Sequence, residues 1–214
     1  MARLPKGIFG PLYGKLGPVV GATWNGIPYI RSKPKKKKKK RTVKTEAQIA
    51  NEARFKFVNR WMIPFHPYMM IGFGNFPIDK PPVSMALSLN YRQIVIGSYP
   101  DFNIDYSKVV LSVGDLPGLA QPVCVFSTLD TLELTWAQSP NAKVAFDDQL
   151  MLVLYSRDLE LADGFIGGVK RASGKCSFQF VEQMIGKALD VYISVTSLDR
   201  KGIANSIYLG RIAP

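Results

Sequence analysis

The 214-residue sequence predicts a mainly β protein with a small α-helical part: an N-terminal arm and β-hairpin, two helices, and a C-terminal β-sandwich. Three observations carry that prediction. Asn25-Gly26 stands between two apolar runs in "VVGATWNGIPYIRS". Residues 49–62 repeat apolar side chains at helical spacing. From Asp105 onward, apolar runs recur about every 8 to 15 residues between turn residues, which is the spacing of sandwich strands.

The first element is an arm. Glycines at 7, 10, 14, 17 and 21 would form one small-residue stripe on a helix, but Pro11 and Pro18 argue against that helix, so residues 1–18 read as extended and turn-rich. The hairpin follows. A type I′ turn needs positive φ at both central residues, which Asn-Gly tolerates, so two strands meet at Asn25-Gly26 with Trp24 and Tyr29 close to the turn. Pro28 lacks an N–H and places its strand at a sheet edge.

The first helix starts at Thr45, a capping residue with Gln48 three positions on and Glu46 in the first turn. Ile49, Ala53, Phe57 and Trp61 follow at i+4 spacing, with Val58 and Met62 beside them, until Pro64 ends the run. A second helix is expected over roughly 83–96. The intervening "HPYMMIGFGNFPIDKPP" holds too much Gly and Pro for regular structure and is too apolar for a solvated loop. The expected strands are "SKVVLSV", "VCVFST", "TLELTW", "QLMLVLY", "GKCSFQF", "DVYISVTSL" and "NSIYLGRI". In "TLELTW", Leu132, Leu134 and Trp136 alternate with Glu133 and Thr135, whereas Tyr192 and Val195 do not share one period. The expected divisions are 1–44, 45–117 and 118–214.

Charge is distributed unevenly. Residues 1–60 carry 16 Lys and Arg against Glu46 and Glu52, a net of +14, while the other 154 residues carry 12 basic and 14 acidic side chains, a net of −2. Ten basic residues fall within 31–44: Arg31, Lys33, Lys35, Lys36, Lys37, Lys38, Lys39, Lys40, Arg41 and Lys44. Such a run repels itself and stays extended, and opposite phosphates it releases counterions and binds without reading sequence. These ten residues are the candidate polyanion site, for nucleic acid or an acidic protein surface. A solvated linker is the plainer alternative. Trp24 and Tyr29 are candidate assembly residues, and with Arg31 they could also stack bases.

Catalytic signatures are sparse. The one histidine, His66, sits between Phe65 and Pro67 with no partner motif for nucleophilic or acid–base chemistry. "GPLYGKL" at 10–16 has three residues between its glycines and Leu16 after Lys15, so it fails the phosphate-loop pattern. Cys124 and Cys176 lack zinc-site spacing and read as small buried residues on strands, with one disulfide left open. Asp147 and Asp148, and the cluster Asp158, Glu160 and Asp163, lack calcium-loop spacing and read as loop charge. No enzyme, cofactor or metal is expected. Gly and Pro interrupt the N-terminus too often for a signal peptide or membrane helix, so a cytoplasmic protein, or one in an assembly formed there, is expected.

The strand order, with Trp136 early and Tyr192 late, resembles a fibronectin type III or immunoglobulin-like sandwich over 118–214. Over the whole chain, "GKLGPVVGATWNGIPYIRSKP", "RTVKTEAQ", "GSYPDFNIDYSKVVLSVGDL" and "GIANSIYLG" are similar to a family of uncharacterised Bacteroidota proteins. The resemblance implies a Gly-rich arm and hairpin, helices and a C-terminal sandwich, and it implies no activity. The function expected is therefore non-catalytic: self-association into a homo-oligomer or larger assembly through the arm and sandwich, or sequence-nonspecific nucleic-acid binding through residues 31–44.

Overall fold

A computed structural model describes residues 2–24, 26–34, 43–77, 81–138 and 144–214. The chain divides into two compact units, residues 1–44 and 45–214.

In the first unit, β1 (Gly14–Leu16), β2 (Val19–Trp24) and β3 (Ile27–Ser32) form an antiparallel sheet in that order. The turn has two residues, and Gly26 has the positive φ of 82° that the turn requires. Asn25 lies outside the described residues. As Pro28 predicts, β3 is an edge strand. The Lys33 N–H reaches back to the Pro18 carbonyl at 2.7 Å, so alternate residues of β3 bond to β2 and Pro28 falls at a position whose missing N–H faces the free edge.

The second unit has three layers. Its helical layer contains α1 (Glu46–Met62), α2 (His66–Gly72) and α3 (Pro82–Gln93). A hairpin of β4 (Val95–Ser98) and β5 (Asp101–Ile104) follows. One sandwich sheet is β6 (Ala120–Phe126), β7 (Thr131–Ala137) and β10 (Lys175–Gln179), with β7 in the middle. The other contains β8 (Gln149–Ser156), β9 (Leu161–Lys170), β11 (Leu189–Thr196) and β12 (Ile207–Ile212), in the order β12-β11-β8-β9. This three-plus-four arrangement is a fibronectin type III-like sandwich.

The four-stranded sheet is buried on both faces. Leu150, Leu152 and Leu154 of β8 and Val191, Ile193 and Val195 of β11 pack inside the sandwich with Leu132, Leu134 and Trp136. Met151, Val153, Tyr155 and Tyr192 point the other way, into a cluster with Val58, Trp61, Phe65, Met69 and Phe73 of the helical region. Tyr192 and Val195 thus face opposite sides, and the helical region and sandwich belong to one compact unit because the central sheet has an apolar lining on each face.

At the start of α1, Thr45 accepts the Gln48 N–H at 3.3 Å while the Gln48 side chain accepts the Thr45 N–H at 3.1 Å, completing the capping box. Thr45→Ala is expected to cost about 1 kcal/mol of stability, read as a lower urea midpoint with an unchanged slope.

Four local expectations need correction. The segment after Pro64 is helical over α2, because Pro67 sits in the first turn where its missing N–H is not needed. Gly72 then lets that helix approach the chain closely: a Cβ there would lie 2.1 Å from the Leu111 carbonyl oxygen. The second helix ends at Gln93, and residues 95–98 are strand. Residues 109–113 are not a strand, since the Asn90 side chain replaces a ladder partner, accepting the Val110 N–H at 2.9 Å and donating to its carbonyl at 2.8 Å. Residues 161–170, not foreseen as a strand, form β9, whose alternation is interrupted by positive φ at Gly164, Gly167 and Gly168 and by a bulge opposite Gln149–Met151.

Burial raises the pKa values of five phenols in this unit. Tyr68 and Tyr208 are pushed up to about 12, with desolvation first among the causes, and Tyr106, Tyr155 and Tyr192 are raised for the same leading reason. Their folded values lie above the unfolded value near 10, so the stability from keeping these phenols neutral is complete below pH of about 10 and is withdrawn as pH rises through the folded values. Alkaline titration should therefore show late tyrosinate formation coinciding with loss of circular dichroism. Ionisation of all nine tyrosines near pH 10 with the fold intact would contradict this burial.

Candidate assembly and polyanion surface

Counting from the two-residue turn sets which side chains share a face of the first sheet. Trp24 pairs with Ile27, Ala22 with Tyr29, and Val20 with Arg31, while Lys15 of β1 pairs with Val20 from the other side. Cross-strand partners point the same way, so one face carries Trp24, Ile27 and Tyr29 near the turn and a Lys15–Val20–Arg31 row at its other end. The opposite face is covered at its centre by the arm: a Cβ on Gly21 would lie 1.7 Å from the Leu12 carbonyl oxygen. Reciprocal bonds between Arg3 and Tyr13, at 2.8 and 2.9 Å, fold that arm back on itself.

Among the described residues of its own unit, none covers the aromatic face. Trp24 is 48% exposed, Ile27 50% and Tyr29 43%, and the three line a shallow depression of about 390 Å³. Among the described residues of this unit, Leu12 is the one buried hydrophobic side chain. The sheet is thus held by backbone bonds and its turn, with little core of its own.

The structure brings some predicted site residues together and leaves others undescribed. Trp24, Tyr29 and Arg31 share a face, and Lys33 continues β3 as an exposed side chain. Lys44 lies just before the Thr45 cap. Lys35, Lys36, Lys37, Lys38, Lys39, Lys40 and Arg41 lie outside the described residues. Ile27 and Lys15 were missed by sequence reasoning, although counting outward from Asn25-Gly26 identifies Ile27 as the partner of Trp24.

Elsewhere, Asp148, Glu160 and Asp163 make structural contacts. His66 opens α2 and is half-buried. Asp148 is buried beside Arg171, Asp163 accepts the Gly164 and Val181 N–H groups, and Glu160 pairs with Arg60 at 3.6 Å. Among the described residues, no group of three or more His, Cys, Asp or Glu side chains is placed to hold a metal. Cys124 and Cys176 are both free thiols. Each sits opposite Leu134 of the middle strand, so their Cα atoms are two strand spacings apart, about 9.6 Å, beyond the roughly 7 Å reach of a disulfide. That register closes the disulfide alternative. Burial first, and then Cys176, pushes the Cys124 thiol up to about 12, and burial raises Cys176 as well, so neither is poised as a thiolate near neutral pH.

The profile of a family of unknown function (DUF6266) matches residues 11–210. The chain belongs to that family. The match takes in the hairpin, the basic segment, the helical layer and nearly all of the sandwich. No curated protein matches. Among solved structures, the solution structure of the fn3 domain of human collagen alpha-1(XX) chain is similar over 48% of this chain and 87% of that chain, at 14% identity and a TM-score of 0.35. Among the described residues, no helix is long and apolar enough to cross a membrane.

Proposed function

We propose that the protein is a non-catalytic structural protein of a Bacteroidota cell, working in the cytoplasm or in an assembly formed there, and that it self-associates through its N-terminal unit and β-sandwich. The observation that carries this reading is the uncovered face of the first sheet. A unit of about 40 residues seldom stabilises itself without disulfides, metal or association. This one buries Leu12 while exposing Trp24, Ile27 and Tyr29. A second copy supplies the missing cover, and an edge strand such as β3 can also accept another strand. Size-exclusion chromatography of the full chain and of a chain lacking residues 1–44 tests the reading. The full chain should elute as an oligomer and the shortened chain as a smaller species. A full chain that stays monomeric at high concentration contradicts it.

A second reading, sequence-nonspecific nucleic-acid binding, is favoured by the position of Arg31 and Lys15 on the same face as Trp24 and Tyr29. Cationic groups beside exposed aromatic rings suit a phosphate backbone with stacked bases. Residues 1–44 contain no acidic side chain to oppose that contact. If roughly six to ten phosphates are neutralised, affinity should fall by about 10³ to 10⁵ between 50 and 200 mM salt. Replacing Lys35 to Lys40 with Ser should remove most of it, and a binding constant unchanged by salt contradicts this reading.

A further inference from the structure

Within the second unit, a cleft of about 500 Å³ opens beside the end of α1, lined among others by Phe57, Trp61, Phe102, Tyr106, Tyr155 and Arg157. Its volume lies in the range of small-molecule sites, and its walls are largely aromatic. A smaller cavity shares Asn103, Ile104, Tyr106 and Arg157 with it. The cleft has no part in the assembly or polyanion readings above.

Arg157 is the fixed polar group. Its Nε and Nη2 donate to the two oxygens of Asp190 at 2.6 and 2.7 Å, and its guanidinium lies 3.8 Å from the centre of the Tyr106 ring. Asp190 is fully buried and also accepts the Tyr208 hydroxyl at 2.6 Å. The guanidinium is therefore held before any ligand arrives. Among the described residues its third nitrogen, Nη1, makes no hydrogen bond, and Arg157 lines both cavities, so a rigid N–H donor is left at their shared wall. In the cleft wall, Trp61 is 9% exposed, packs edge-on to Tyr106 with ring centres 6.3 Å apart, and its indole N–H makes no well-formed hydrogen bond among the described residues. A buried donor without a good acceptor is costly, and a carbonyl oxygen entering beside Trp61 and Arg157 would supply one.

Charge narrows the ligand class. Arg157 is matched by Asp190, and Arg60 at the mouth is matched by Glu160 at 3.6 Å. Arg60, Arg157 and Glu160 line the cleft, and with the buried Asp190 behind Arg157 the charges sum to zero, which does not favour an anion, while the aromatic walls favour a flat ring. The Arg60–Glu160 pair is 80% and 69% exposed, so it is a weak tie that a ligand displaces easily.

We infer that this cleft binds an uncharged planar heteroaromatic ring bearing a carbonyl acceptor, held between aromatic side chains with its carbonyl at Arg157. Calorimetric titration of the full chain with caffeine and uridine, beside benzoate and cyclohexanol, tests it. At least one of the first two should bind saturably with a Kd below about 1 mM, while benzoate and cyclohexanol bind more weakly. Ile63→Trp fills the cleft from a side chain that is 59% exposed, so the fold tolerates it, and it should weaken binding by about tenfold or more. Arg157→Lys keeps a cation for Asp190 while removing the fork, and should weaken binding in the same direction. The inference is overturned if neither ring binds, if benzoate or cyclohexanol binds as tightly, or if Ile63→Trp, folded by circular dichroism, binds as the parent does.

Discussion

Arg171→Ala should destabilise the 45–214 unit by about 3 to 5 kcal/mol, read as a large fall in the urea midpoint. Arg171 is 3% exposed and its neighbour Asp148 1%. The ion pair itself is long, at 3.5 Å, so Coulomb attraction alone is not what makes Arg171 important. Its guanidinium also donates to the Pro117 carbonyl at 2.7 Å and to the Gly118 carbonyl, fastening the segment that leads into β6. The Arg171 N–H donates to the Asp148 carbonyl, and the Arg171 carbonyl accepts the Trp136 indole N–H at 2.8 Å, so one residue ties β7, β8 and the β6 approach together. Removing the side chain strands a buried carboxylate and two carbonyls at once. The double variant Arg171→Met/Asp148→Asn should recover part of the loss, because it removes the uncompensated charge while leaving the carbonyls unpaired. A loss below about 1 kcal/mol in the single variant would show that water or backbone movement replaces the guanidinium.

Arg157→Ala is expected to cost a similar amount, about 3 to 5 kcal/mol, for a different reason. Here the ion pair is short and two-pronged, and Asp190 is the fully buried member. Asp190's hydrogen bonds hold the Arg157 pKa above the ordinary guanidinium value. Truncation leaves Asp190 in the central sheet with the Tyr208 hydroxyl as its one remaining side-chain donor among the described residues. It also uncovers the Tyr106 ring on which the guanidinium rests. Asp190→Asn should cost less than Arg157→Ala, since it removes the buried charge along with one partner. If the two losses came out in the opposite order, the buried carboxylate would not be the source of the effect.

Elements specified by local chemistry were legible in the sequence. The Asn25-Gly26 turn, Pro28 at the edge, the Thr45–Gln48 cap and the alternation of Leu132, Leu134 and Trp136 each act through neighbouring residues, so the chain itself carries the signal. The continuous apolar runs of β8 and β11 revealed two strands but not their second covering layer, because a strand buried on both faces loses its alternation. The β9 strand was hidden by Gly164, Gly167 and Gly168, which read as turn residues yet serve bulges. Residues 109–113 have strand-like composition, but Asn90, about twenty positions earlier, takes the ladder partner's place. The aromatic face of the first sheet was half legible: Trp24 and Tyr29 stood out, whereas the alignment of Lys15 with Arg31 depends on a strand at Gly14–Leu16 too short to announce itself. The cleft left no local trace, since Phe57, Phe102 and Arg157 come from separate parts of the chain.

What this polypeptide does rests on whether the uncovered Trp24, Ile27 and Tyr29 face holds copies together. Sedimentation equilibrium of the full chain against the Trp24→Ser/Tyr29→Ser variant asks this directly, because both side chains are already exposed and their loss leaves the 45–214 unit intact. The parent should sediment as a self-associating species and the variant should dissociate at least about tenfold more readily, as expected for aromatic anchors at an interface. Identical association of parent and variant, or a parent that is monomeric throughout, would contradict the proposal.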